Sequence, residues 1–360
     1  MSDLTPDAIR AALQDHLDPV IGKSLLEAEV IREVQVRNGI AQVQIELGFP
    51  AAGYREQLGE SIRGTLRTKL GVEAQVQVGW SIRSQSVQGQ LQPIAGVRNV
   101  IAVASGKGGV GKSTVSVNLA LALLAEGARV GILDADIYGP SQPRMLGTTE
   151  KPRSPDGKVM LPIEALGLQA MSIGFLIDED QPMIWRGPMA TQGLMQLVFE
   201  TRWQDLDYLI VDLPPGTGDI QLTLSQRIPV SGAVVVTTPQ DIALIDARKG
   251  LQMFRKVEVP ILGLVENMSF FCCPNCGHRS EIFGAGGGDR MSEQYGVEVL
   301  GRIPLDGRIR EQADGGRPTV AAEPESQMSA IYRDIARRAA ARLAHGGLGE
   351  DFPQISIADD

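Results

Sequence analysis

The chain has 360 residues, 43% hydrophobic, 21% charged and 4% aromatic, which excludes a disordered or fibrous protein and supplies a sizeable apolar core. A net charge of -9 argues against non-specific binding to nucleic acid or to anionic membranes, since both need a positive surface. Its three cysteines are too few for a secreted disulfide scaffold, so a reducing, cytoplasmic setting is expected.

The N-terminus, MSDLTPDAIRAALQDHL, is polar and amphipathic with no apolar signal core, and nowhere does an apolar run reach the length of about 18 residues that spans a membrane. Residues 1–80 read as a small α+β domain. A helix at TPDAIRAALQDHL is followed by apolar alternation in AEVIREVQV and IAQVQIEL, a second helix near YREQLGESIRGTLRTKL and a strand at VEAQVQVGW. Residues 81–99, SIRSQSVQGQLQPIAGVRN, carry Ser, Gln and Gly without periodicity and read as a linker.

From residue 100 short apolar runs alternate with helix-length segments: VIAVAS, RVGILDAD, YLIVDLP, AVVVTTP, ILGLVENM and VEVLGRIP. Strands that read as continuous Val/Ile/Leu runs are buried on both faces, the condition of a mostly parallel sheet wrapped by helices. One α/β domain is expected over residues 100–344, followed by an acidic, Gly-containing tail over 345–360.

Directly after the first of these strands stands GKGGVGKST, residues 106–114, leading into the helical VSVNLALALLAEG. This is the phosphate-binding pattern G-x-x-x-x-G-K-[ST] in its strand–loop–helix setting, which makes the domain a P-loop NTPase. The backbone of Gly106, Lys107, Gly108, Gly109, Val110 and Gly111 would wrap the polyphosphate of ATP, and the helix starting at Lys112, Ser113 and Thr114 would add its positive end. Lys112 would reach the β- and γ-phosphates, and Ser113 would ligate Mg²⁺. Asp134 and Asp136 in LDADIYGPS fall where a strand ends, the edge on which open α/β folds bind ligands. Asp212, at the end of YLIVD, stands where a carboxylate holds Mg²⁺ through its waters.

All three cysteines fall in FFCCPNCG: Cys272, Cys273 and Cys276. Cys273 and Cys276 flank a Pro-Asn turn at the spacing that aims two sulfurs at one metal. A four-coordinate iron–sulfur cluster or zinc needs four ligands and one C-x-x-C supplies two, so a second chain is asked for; His278 is a weaker candidate ligand.

The second lysine of the loop, Lys107, resembles the signature lysine of the deviant Walker A class of ParA, MinD and the nitrogenase iron protein. That resemblance implies a homodimer in which Lys107 acts on the partner's nucleotide as an arginine finger would. It further implies that Asp136 orients or activates the attacking water, that Asp134 lies nearer the metal, and that Asn267 contacts the adenine base. DADIYGPSQPRMLG, WRGPMATQGLMQLV, DLPPGTGD, TTPQDIALIDARKGLQMF and VENMSFFCCPNCGHRSEIFG together are similar to blocks of the Mrp/ApbC family of iron–sulfur cluster carrier ATPases. The family implies slow Mg²⁺-dependent ATP hydrolysis, a [4Fe–4S] cluster held between two chains by the C-P-x-C at Cys273 and Cys276, and apo iron–sulfur proteins as recipients. Cys272 is then the extra thiol. Trp185, Arg186 and Met189 match a family block with no assigned chemistry. Residues 1–80 resemble the small iron–sulfur assembly domain, but where its stand-alone forms carry a cysteine this chain reads ELGFPAAGYREQL, which implies docking or regulation. A zinc-stapled positioning ATPase and an ATP-dependent reductase are the rival readings. The acidic tail argues against a membrane-bound ATPase, and the close C-x-x-C spacing against the reductase.

Overall fold

The computed structural model describes residues 4–85, 87, 91–177 and 187–346. Trp185, Arg186 and residues 347–360 of the expected tail lie outside them.

The N-terminal unit runs α1 (Pro6–Leu13), β1 (Ile31–Arg37), β2 (Ile40–Leu47), α2 (Arg55–Leu70) and β3 (Ala74–Trp80). Thr5 caps α1 by accepting the Ala8 N–H at 3.2 Å, with Pro6 in the first turn. The strands form one sheet in the order β1-β2-β3, with β1 antiparallel and β3 parallel to β2.

The larger unit begins with β4 (Val97–Ser105), α3 (Lys112–Ala125), β5 (Val130–Asp134), α4 (Gln142–Met145), β6 (Ile163–Ala165) and β7 (Leu168–Ser172). It continues through α5 (Gly187–Phe199), β8 (Leu206–Asp212), α6 (Asp219–Arg227), β9 (Gly232–Thr237), α7 (Asp241–Lys256) and β10 (Ile261–Glu266). A short hairpin, β11 (Phe271–Cys272) and β12 (Arg279–Ser280), precedes α8 (Gly287–Tyr295), β13 (Val299–Arg302), α9 (Gly307–Asp314), α10 (Thr319–Ala322) and α11 (Gln327–Ala344). The sheet order is β13-β10-β9-β4-β8-β5-β7-β6, and only the β6–β7 pairing is antiparallel.

Each central strand divides its side chains between two buried layers. Ile101, Val103, Ile132, Ile210 and Val234 face α3 and α11, while Val100, Ala102, Leu133, Leu209 and Val235 face the side of α5, α6 and α7. Helix α3 is apolar around most of its circumference because it is covered twice, by the sheet and by α11.

Two sequence expectations change. The segment 81–99 is not linker throughout: Val97, Arg98 and Asn99 already belong to β4. Asn99 hid this, being polar yet buried, its amide donating to the Arg83 and Asp207 carbonyls and its oxygen accepting the Gln85 N–H. β7 was missed because Gln169 interrupts its apolar run, although Leu168, Ala170 and Met171 are buried. The apolar core of the N-terminal unit also runs unbroken into the layer of α3 and α11. At that junction the Ala52 N–H donates to the Glu126 carbonyl at 3.0 Å and the Gly53 N–H to its Oε2 at 2.9 Å.

Candidate functional site

The carboxyl ends of β4, β5, β8 and β10 converge at one edge of the sheet, which is why residues 106–114, 134–136, 212 and 267 meet although up to 161 positions separate them, from Gly106 to Asn267. Gly106 lies so close to α7 that a Cβ there would overlap the Asp246 carbonyl. Gly111 has φ +83°, and a Cβ would overlap the Asn267 amide. The first helical bond of α3 is Val115 N–H to Gly111 C=O at 3.0 Å, so the N–H groups of Lys112, Ser113 and Thr114 precede it and form an anion-binding end.

Parallel registry sets Asp134 of β5 directly beside Asp212 of β8, both fully buried. Lys112, 6% exposed, answers this paired charge: its Nζ donates to Asp212 Oδ1 at 2.6 Å and to Ser113 Oγ at 3.1 Å. Ser116, one turn along the same helix face, also donates to Asp212 Oδ1 at 2.8 Å, and Gln142 Nε2 donates to Oδ2 at 3.1 Å. Burial, then the neighbouring Asp212 charge, raises the Asp134 carboxyl to about 7, against the N–H of Gln142 and the Lys112 charge. Asp134 also gathers the following segment, accepting from Ser141 N–H at 2.9 Å, Gln142 N–H at 3.0 Å and Ser172 Oγ at 3.1 Å. Asp136 is half-buried and accepts the Gly139 N–H at 3.3 Å; burial raises its carboxyl and Lys112 opposes the rise. Lys107 is half-buried, and among the described residues no carboxylate pairs with it.

The donors nearest the start of the helix are hard oxygens, Ser113 Oγ and the carboxylate of Asp212, which suit Mg²⁺ held largely through water rather than a soft metal. Two further polar atoms, Ser141 Oγ and Gln142 Oε1, are buried here with no partner among the described residues, and each such group costs about 1–3 kcal/mol unless it is paired. The residues therefore fit a hydrated divalent cation beside the phosphates.

Asn267 donates to the Val110 carbonyl at 2.8 Å, so in this arrangement its amide braces the loop. Glu266, one residue earlier and buried, accepts from Ser269 Oγ and from Gly288 N–H at 2.6 Å. Residues 269 and 288 bracket the cysteine segment, so both its ends are tied to one carboxylate. Within it Cys273 N–H donates to His278 C=O, and Gly277 N–H to Cys273 C=O, each at 2.9 Å. The N–H groups of Asn275 and Cys276, then the Cys276 side chain, hold the Cys273 thiol below its usual range and favour the thiolate ligand form. Cys272 and Cys276 are exposed and Cys273 is partly so. Among the described residues no group of three or more His, Cys, Asp or Glu is placed to hold a metal, which leaves the pair two thiolates per chain.

Gln142, Ser116 and Glu266 were not anticipated. Ser116 carried a signal, standing four residues after Lys112 on a helix; Gln142 and Glu266 carried none, because their partners are set by strand register and loop closure.

Comparison with known proteins agrees with this geometry. Residues 96–340 match the family described as NUBPL iron-transfer P-loop NTPase, and residues 6–78 match that of iron–sulfur cluster assembly protein. The iron–sulfur cluster carrier protein of Escherichia coli strain K12 is 51% identical over 348 residues, covering 94% of each chain. The mouse iron–sulfur cluster transfer protein NUBPL is 50% identical over 284 residues, 78% of this chain and 89% of that one. A nucleotide-binding protein of Archaeoglobus fulgidus, solved with ADP, superposes with a TM-score of 0.57 at 38% identity, covering 65% of this chain and 91% of its own. Its blocks of sequence, its parallel sheet and its loop all agree: the chain belongs to the NUBPL iron-transfer P-loop NTPase family.

Proposed function

We propose that the protein is an ATP-hydrolysing iron–sulfur cluster carrier, in which Cys273 and Cys276 hold a cluster shared with a second copy and deliver it to apo iron–sulfur proteins. One observation carries the reading: a solvent-accessible cysteine pair, in which Cys273 is held toward the thiolate, is rooted at Glu266, next to the residue that braces the P-loop. The 51% identity to a named carrier over 94% of the chain supports it.

Each chain offers two thiolates and a [4Fe–4S] cluster takes four, so two copies on a two-fold axis complete the site. Ile242 and Ile245, exposed on the first turns of the α7 helix that borders Gly106, and Ile282 beyond the cysteines offer apolar surface to that partner. Lys107, which pairs with no carboxylate among the described residues, reaches the partner's nucleotide. Lys112 leaves Asp212 for the β- and γ-phosphates. Ser113 and Asp212 would hold Mg²⁺, which would supply charge that offsets the charge on the transferring phosphoryl group. Asp136 orients the attacking water, with Asp134 held behind it, and Asn267 turns to the adenine base. Hydrolysis is slow, and the N-terminal unit docks or regulates in the cytoplasm. Among the described residues no helix is long and apolar enough to cross a membrane.

Anaerobic reconstitution followed by transfer to an apo iron–sulfur enzyme tests the reading. About four iron and four sulfide per dimer are expected from one shared four-cysteine site, with recovery of the recipient's activity. A full cluster on each monomer would sink the shared site; retained zinc with no transfer would sink the carrier.

A further inference from the structure

Gln142 opens α4, six residues after Asp136, and is 1% exposed. Its Nε2 donates to the Ser113 carbonyl at 3.2 Å and to Asp212 Oδ2 at 3.1 Å. Both partners are acceptors only, so the amide has one allowed orientation: nitrogen toward the P-loop helix and Asp212, oxygen turned away from them. That oxygen is buried without a partner among the described residues, and so is the hydroxyl oxygen of the preceding residue, Ser141. The Gln142 N–H meanwhile binds Asp134 Oδ2 at 3.0 Å. One residue thus touches the loop helix and both strand-end carboxylates, while keeping an acceptor open.

Asp212 shows why this matters. Its Oδ1 is taken by Lys112 and Ser116, and its Oδ2 by Gln142. When Lys112 turns to phosphate, Gln142 is what still holds Oδ2 and fixes the plane of the carboxylate. Pinning α4 to the loop would need only the two donor contacts. A purely structural residue gains nothing from a buried amide oxygen left unpaired, so the open acceptor points to a donor that arrives with the ligand.

We propose that Gln142 is a positioning residue for the nucleotide-bound divalent cation: its NH₂ group orients Asp212, and its Oε1, with Ser141 Oγ, accepts hydrogen bonds from water on that cation. The proposal rests on the reading of the site as one for a metal–nucleotide complex.

The test is a pair of binding titrations on the full-length chain, with Mn²⁺ as the probe followed by electron paramagnetic resonance. Mn²⁺ affinity is measured at saturating ADP, and ADP affinity separately in EDTA. Gln142→Leu, close in volume but without polar atoms, should weaken Mn²⁺ in the ternary complex about tenfold, as loss of a group supporting a metal's ligands does, and ADP in EDTA by clearly less. Ser141→Ala loses only an acceptor and leaves the Asp212 contacts in place, so it should weaken Mn²⁺ in the same sense by less, and it serves if the Leu variant does not fold. Unchanged Mn²⁺ affinity in both variants, or an equal loss in both titrations, overturns the role of Gln142. Failure of the unsubstituted chain to bind Mn²⁺ with ADP would instead overturn the metal–nucleotide reading itself.

Discussion

The seam between the N-terminal unit and α3 should depend on one buried ion pair. Glu126 ends α3 with its carboxylate fully buried; Oε1 accepts from Arg337 of α11 at 2.6 Å and Oε2 from the Gly53 N–H at 2.9 Å. The side chains are 12% and 1% exposed for Arg337 and Glu126, which separates this pair from the surface pairs of the chain that are worth about 1 kcal/mol or less. Glu126→Gln keeps the volume but strands the guanidinium, which lies 5.6 Å over the Tyr54 ring, in a site with little water. Breaking such a pair from one side costs about 3–5 kcal/mol, because the remaining charge stays buried. Arg337→Met should cost a similar amount. The double variant carries no orphaned charge, and its loss should fall short of the sum by about 2 kcal/mol. Urea unfolding followed by circular dichroism gives the energies, and hydrogen exchange at the Ala52 and Gly53 amides localises the loss. Single losses below about 1 kcal/mol, or additive losses in the double variant, would refute the reasoning.

Lys112→Ala should lower ATP turnover by roughly a hundred- to thousandfold, since the charge lost is one that serves the transferring phosphoryl group; an unchanged steady-state rate would remove Lys112 from the site. Mixing Lys107→Ala with Lys112→Ala chains should restore one working site per heterodimer, and a mixture that stays inactive although heterodimers form would show that Lys107 does not act across the interface. Cys273→Ala and Cys276→Ala should each abolish reconstituted cluster absorbance while Cys272→Ala keeps it; equal loss in all three would shift the ligand register. Burial depresses His16, whose Nδ1 lies 2.8 Å from Thr65 Oγ1, so the unfolded chain binds the extra proton first as pH falls. Thermal stability should then rise with pH in the window just below 6.5 and flatten above it, and His16→Gln should weaken that dependence in melts taken at a series of pH values.

Where chemistry is local, the chain could be read directly. Residues 106–114 are consecutive, and the central strands announce themselves because both their faces are buried, so no polar residue interrupts 130–133 or 209–211. The contact of Asp134 with Asp212 was not readable, since it depends on which strand lies next to which and in what register. The attachment of the N-terminal unit was hidden by small residues, Ala51, Ala52 and Gly53, that carry no periodic signal. A clue did exist at Glu126: an acid at the carboxyl end of a helix opposes the helix dipole, and this one is there because a distant arginine and an amide meet it.

The two-point tether of the cysteine segment also limits how the thiols can travel. Ser269 and Gly288 hang from the same carboxylate, and Arg302 lies 3.6 Å from it, so the chain before and after the hairpin is anchored at one point. The next residue, Asn267, is in turn fastened to the loop carbonyl of Val110. The root of the cysteine segment and the brace of the nucleotide loop are thus consecutive residues, so a displacement of Val110 that carries Asn267 with it also loads the anchor from which the turn of Cys273 and Cys276 extends.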